Sequence, residues 1–347
     1  MKRNLSLLFS TLAFSTAVLA ETTPVQVYTY DSFAADWGPG PKLKTMFEQH
    51  APQCKVNYVT FDSAGLLFNR VRLEGSKTKA DVVLGLDNYM LSDAKKTQLF
   101  DVFMFDPNSK FLNSFEPNDV SINNMQLPLN WTPNTTFLPY DFGEYAFIYD
   151  KNKLKNPPKS LKELVNRQDI RVIYQDPRTS SVGLGLVIWM NQIYKPNEIK
   201  EAWKTLAKHT VTVGKGWSES YGAFLKGEAD AVLSYNTSPL YHSLNEKKDN
   251  YAAMSFKNGG VAQIELAAII KNHRNQCSEN FMQFLISRPA QKIIATKNVM
   301  LPAINNIGVP AYDKLKAETL KSKLYLPMVT HKQIKNWVNT WQQSLTN

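Results

Sequence analysis

Residues 171–189 read RVIYQDPRTSSVGLGLVIW, from Arg171 to Trp189. Val172, Ile173 and Tyr174 are β-branched or aromatic and form a short buried strand. Asp176 to Ser181 make a polar turn, and Val182 to Trp189 resume as an apolar run. The order is strand, loop, helix. Ser180 or Ser181 stands as N-cap of that helix, whose first N–H groups lack internal partners, point into the loop and favour an anion. An ordinary capped turn with Arg178 in water accounts for the stretch equally well. A P-loop and a dinucleotide fingerprint are both excluded, because no Gly-Lys-Ser/Thr and no spaced glycine triplet is present.

The same alternation runs outward on both sides. Towards the N-terminus, Val25–Tyr30, Lys55–Phe61 and Ala80–Asn88 read as strands, with a helix opening at Pro41 and another over Leu66–Leu73. Towards the C-terminus come an amphipathic helix through Ile199, Ala202, Trp203 and Leu206, a short helix capped by Ser218, and a buried strand over Ala229–Tyr235. Val261–Ile270 is a long apolar strand, Ser278–Ala295 a helix, and Ile334, Trp337, Val338 and Trp341 mark a docking face on the last helix. Strands alternating with helices predict a parallel sheet, and in open sheets of this kind ligands bind beyond the carboxyl ends of the strands. Residues 28–33, 62–65 and 85–88 fall at such ends. Tyr30, Trp37, Trp217, Tyr221, Tyr235 and Tyr241 place more aromatic rings at predicted loop ends than core packing requires.

The chain opens with MKRNLSLLFSTLAFSTAVLA, in which Lys2 and Arg3 precede an apolar run ending in Val18 and Ala20. This pattern predicts a signal peptide over residues 1–20, cleaved after Ala20, and export to the periplasm. With 347 residues, two domains fit better than one core. The net charge of +10 is spread over single and paired basic residues, so nucleic acid is a poor partner. Cys54 and Cys277 are the two cysteines; an oxidising compartment permits a disulfide, and the sequence leaves their pairing open. No HExxH, paired-Cys or Gly-x-Ser-x-Gly motif occurs, and the five histidines are dispersed, so no catalytic residue, metal site or cofactor is expected.

The blocks YTYDSFAADWGPGP, KADVVLGLDN, YDKNKLKNPPKSLKELV, RVIYQDPRTSSVGLGL, VTVGKGWSESYGAFLKGEAD and VLSYNTSPLYH closely resemble the periplasmic thiamine-binding proteins of bacterial ABC transporters. The resemblance implies an α/β, two-lobed type II periplasmic-binding-protein fold. Each lobe is then a mixed, mostly parallel sheet flanked by helices, with the ligand in the interlobe cleft. Residues 21–145 and 262–311 would form the N-terminal lobe, and 146–261 and 312–347 the C-terminal lobe. Ligand-binding positions implied by the family are Tyr30, Ser180, Ser181, Trp217, Tyr235, Asn236, Thr237, Ser238 and Tyr241, joined by Asp62, Ser63 and Ala64 after the second strand. The implied ligands are thiamine and its mono- and diphosphate, and the implied partner is an inner-membrane ABC permease served by a monomer. Two positions depart from close relatives: Ser63 stands where they carry an acid, and Val299 where they carry a pocket Trp. A receptor of the same fold for another aromatic cation or for ferric ion, and a secreted hydrolase of thiamine phosphates, are the alternatives. The ferric-ion reading lacks its adjacent tyrosine pair, and the hydrolase lacks a nucleophile or metal.

Overall fold

Strand and helix alternate in two runs along the chain, each the basis of one large core, and residues from Ile264 to Tyr312 return to the first. The computed structural model describes residues 22–106, 109–115, 124–132 and 136–346; the predicted signal peptide lies outside them. The strands are β1 (Thr23–Tyr30), β2 (Cys54–Phe61), β3 (Val82–Asp87), β4 (Leu138–Asp150), β5 (Val172–Gln175) and β6 (Thr210–Gly214). They continue as β7 (Ala231–Tyr235), β8 (Tyr251–Ala253), β9 (Gly260–Ile269), β10 (Leu301–Pro302) and β11 (Leu324–Tyr325). The sheet path is β2-β1-β3-β9-β4-β7-β5-β6.

Parallel pairing holds within β2-β1-β3 and within β7-β5-β6, as the alternation predicts. Between these halves β9 and β4 run antiparallel to their neighbours, so the sheet is mixed. β4 is the strand on which the lobes are joined. Leu138 to Glu144 pair with β9, and Tyr145 to Tyr149 pair with β7, so the partner changes between Glu144 and Tyr145. β9 does the reverse, with Gly260 and Val261 beside β11 and the residues from Ala262 onward beside β4.

The first core gathers Val25, Val27, Leu43, Phe47, Val56, Leu67, Phe281 and Phe284. The second gathers Leu161, Leu164, Trp189, Trp203, Leu206 and Trp341. Trp341 docks the final helix (His331–Thr346) by donating from Nε1 to the Tyr174 hydroxyl at 3.0 Å. Cys54 and Cys277 form a disulfide with a Cα–Cα distance of 5.6 Å, tying β2 to the helix Gln276–Leu285.

Three local expectations are corrected. The single helix expected over Ser278–Ala295 is broken. Ser287 caps a new helix (Arg288–Ile293) that has Pro289 in its first turn, because proline lacks the N–H that a continuing helix needs. Gly216, not Ser218, is the N-cap of helix Trp217–Leu225. The helix Pro310–Lys321, expected with the C-terminal lobe from residue 312, packs Tyr312 into the first core.

Candidate functional site

A cleft of about 290 Å³ lies where the two halves of the sheet meet, and both halves contribute walls. The first half supplies Tyr30, Asp31 and Ser32 from the end of β1, Trp37 from the loop that follows, and Asp62, Ser63 and Ala64 from the end of β2. The second half supplies Ser180, Ser181 and Val182 from the start of helix Ser181–Ile193, and Trp217, Ser218, Tyr221, Gly222 and Leu225 from helix Trp217–Leu225. Tyr235 ends β7, Ser238, Tyr241, His242 and Glu246 follow it, and Glu265, Asn298, Val299 and Met300 complete the lining.

Besides two single-turn helices, Asp31–Ala34 and Ser238–Tyr241, three longer ones begin at this cleft. Ser63 caps helix Ala64–Glu74 by accepting from Leu66 N at 3.3 Å. Ser180 caps helix Ser181–Ile193 by accepting from Gly183 N at 3.4 Å, which settles the choice between Ser180 and Ser181. Helix Trp217–Leu225 begins without a side-chain cap. Arg178 is not among the lining residues; it grips Asp176 (Nε to Oδ1, 2.9 Å) and lies over the Trp341 ring.

The aromatic wall is anchored behind as well as facing the cleft. Trp217 stacks on Tyr221 with centroids 4.9 Å apart and donates from Nε1 to Ser234 Oγ at 2.7 Å, while Trp37 approaches it from the other lobe at 6.3 Å. Tyr235 stacks on Tyr145 at 5.5 Å and donates its hydroxyl to Gln263 Oε1 at 2.5 Å. His242 backs Tyr221, sharing a 2.9 Å hydrogen bond between Nε2 and the Tyr221 hydroxyl.

Of the twelve residues expected at the site, ten line the cleft, and Asn236 and Thr237 do not. Asn236 accepts from Glu144 N at 3.3 Å and donates to Thr319 Oγ1 at 2.8 Å, so its side chain is engaged elsewhere. Thr237 is buried and donates to the Val299 carbonyl. That bond fixes a turn in which Val299 has φ +57°, a conformation that β-branched residues avoid. Asp62 points outward, 3.4 Å from Lys215 Nζ across the seam between lobes.

Sequence reasoning reached Asp31 only as part of the strand end 28–33, and missed Glu265 and Asn298. Glu265 had a signal: it is a lone acid inside the apolar run VAQIELAAII, on a strand buried along its whole length. Burial pushes the Glu265 carboxyl upward, and with it two carboxyls near it that do not line the cleft, Asp87 to about 7 and Asp141 well above its ordinary range. Among the described residues, no group of three or more His, Cys, Asp or Glu could hold a metal ion.

The two lobes and the ring-lined cleft between them define a solute-binding protein, and the chain belongs to the bacterial extracellular solute-binding protein family, which it matches over residues 23–292. It is 58% identical over 340 residues, 98% of each chain, to the thiamine-binding periplasmic protein of Haemophilus influenzae (strain ATCC 51907 / DSM 11121 / KW20 / Rd). The protein of the same description from Escherichia coli (strain K12) is 47% identical, with 96% of this chain and 97% of that one covered. A solved periplasmic thiamin binding protein superposes with a TM-score of 0.80 at 45% identity, covering 94% of this chain and 97% of the other.

Proposed function

We propose that this chain is the periplasmic receptor of an ABC importer, capturing thiamine and its mono- and diphosphate and handing them to an inner-membrane permease. The observation that carries this reading is the facing set of aromatic rings, Tyr30 and Trp37 from one lobe and Trp217, Tyr235 and Tyr241 from the other, around one small cleft. Ring faces attract a thiazolium cation, and a pyrimidine stacks on tyrosine. Ser180, Ser181 and the free N–H groups at the start of helix Ser181–Ile193 suit a phosphate ester. The description shared by relatives matched over nearly their whole length supports the same ligand and the same compartment.

The role is capture rather than turnover, performed by a monomer. The ten lining residues named from the sequence are its contacts. The lobes meet on β4 and β9, with the second return falling after helix Pro310–Lys321.

Native mass spectrometry of protein purified from cells without added ligand tests the proposal. Thiamine or a thiamine phosphate should accompany the chain at one molecule per protein. Another small molecule in its place, or failure to take up added thiamine after ligand removal, would overturn it.

A further inference from the structure

We infer that Glu265 is the fixed counter-charge of the cleft, and that together with Asp141 it presents a single negative charge matched to a singly charged aromatic cation. The inference rests on the thiamine reading and adds to the attraction of the ring faces a second, fixed cause for the selection of charge.

Glu265 lines the cleft yet is only 5% exposed. One oxygen, Oε2, accepts from the Tyr30 hydroxyl at 2.7 Å, the Tyr140 hydroxyl at 2.9 Å and Asn298 Nδ2 at 3.2 Å. Three donors converging on one oxygen are the environment of a carboxylate, not of an acid. Asp141, fully buried beside it, is placed differently. Its Oδ2 accepts from Asn298 Nδ2 at 2.8 Å, and its Oδ1 meets no donor. A buried carboxylate with an oxygen that meets no donor, next to a second carboxylate, favours the protonated form, whose proton is shared with that neighbour. Burial and the neighbouring Glu265 charge push Asp141 in that direction. Burial raises Glu265 too, but its hydrogen bonds with Tyr30, Tyr140, Asp141 and Asn298 oppose the rise, an opposition Asp141 has only from Asn298. The pair therefore holds one proton and one charge, with the charge on the member that reaches the cleft.

Other acids at the cleft are less suited to the part. Asp62 is exposed and faces Lys215 at 3.4 Å. Glu246 is held by His242 at 2.9 Å and Lys248 at 3.1 Å. Asp31 is spent in part on its neighbour, accepting from Ser32 N at 2.6 Å. Glu265 has no cationic side chain among its hydrogen-bond partners, so its charge is left for a ligand. A preorganised charge of this kind discriminates by sign, because a neutral ligand leaves it buried and uncompensated.

The test compares thiamine with an analogue in which a neutral thiophene replaces the thiazolium, titrated into the wild type, Glu265→Gln and Asp141→Asn. The wild type should prefer thiamine by about tenfold or more, the size of effect expected when a desolvated charge loses its partner. Glu265→Gln should bind the neutral analogue at least as well as the wild type and lose the larger part of the preference, keeping only the share the rings supply. Asp141→Asn, which mimics the protonated acid, should keep it whole. A preference undiminished in Glu265→Gln, reduced equally in Asp141→Asn, or abolished by Asp31→Asn alone would overturn the inference. Loss of both ligands from Glu265→Gln would do so too, by making the residue structural. A wild type that binds neither ligand would instead overturn the functional reading, and the inference with it.

Discussion

Trp217 carries two duties, and they separate in a variant. Its ring lines the cleft, while its Nε1 is tied to Ser234 and its face lies on Tyr221. Trp217→Ala should weaken thiamine binding by about 1–2 kcal/mol, the range for a partly desolvated cation–π contact, as read by titration calorimetry. The melting temperature of the free protein should also fall, because Ser234 loses its donor and Tyr221 its stacking partner. Trp217→Phe should restore most of the melting temperature through the stack without restoring the Ser234 bond. Unchanged affinity in the alanine variant would remove Trp217 from the contacts. Its place at a helix entrance was legible in Lys215-Gly216-Trp217, since glycine interrupts the periodicity there. The bond to Ser234, which makes the ring partly structural, was not legible, because it joins a helix to a strand seventeen positions later.

At the scale of elements, the strand ends were legible and the side-chain directions were not. Alternation of apolar runs with turn residues located β1, β2, β3, β5 and β7; the chain after β1, β2, β5 and β7 lines the cleft, whereas residues 85–88 at the end of β3 do not. After β7, however, Tyr235 and Ser238 face the cleft while Asn236 and Thr237 turn to Thr319 and Val299, partners far away in the chain. The lone acid in β9 was visible as a letter, but its donors come from β1, β4 and the segment after residue 293, which only tertiary packing assembles. β3 shows how such an end behaves. Asp87 closes it by accepting from Tyr89 N at 2.8 Å and Met90 N at 2.9 Å, yet burial raises its carboxyl to about 7.

The ordinary value for an Asp in the unfolded chain is about 3.9. Between that value and about 7 the folded state holds a proton that the unfolded state has released, so stability falls as pH rises through this window. Glu144, also raised to about 7 by burial, acts in the same direction. Asp87→Asn should remove one group's share of the slope, up to about 1.4 kcal/mol per pH unit, from urea unfolding measured across the window. A slope identical to that of the wild type would show that Asp87 ionises freely in the folded protein.

At the scale of the whole molecule, the cleft is useful because two lobes can meet across it while remaining joined on β4 and β9. The meeting surface joins side chains to backbone, and in places brings backbone against backbone. Ser63 donates its hydroxyl to the Thr179 carbonyl, and Lys215 reaches Asp62. A methyl group on Gly65 would lie 2.2 Å from the Thr179 carbonyl oxygen, and one on Gly216 would lie 2.5 Å from that of Asp62. Any side chain at either position holds the lobes apart, since backbone on the far side cannot yield as a flexible side chain would. The central claim, that thiamine is clamped between the lobes, is tested most directly by small-angle scattering of the ligand-stripped wild type and Gly216→Ala, each with and without saturating thiamine. The account predicts that thiamine makes the wild type more compact and leaves Gly216→Ala extended; no change in the wild type at saturation, or equal compaction of both proteins, would contradict it.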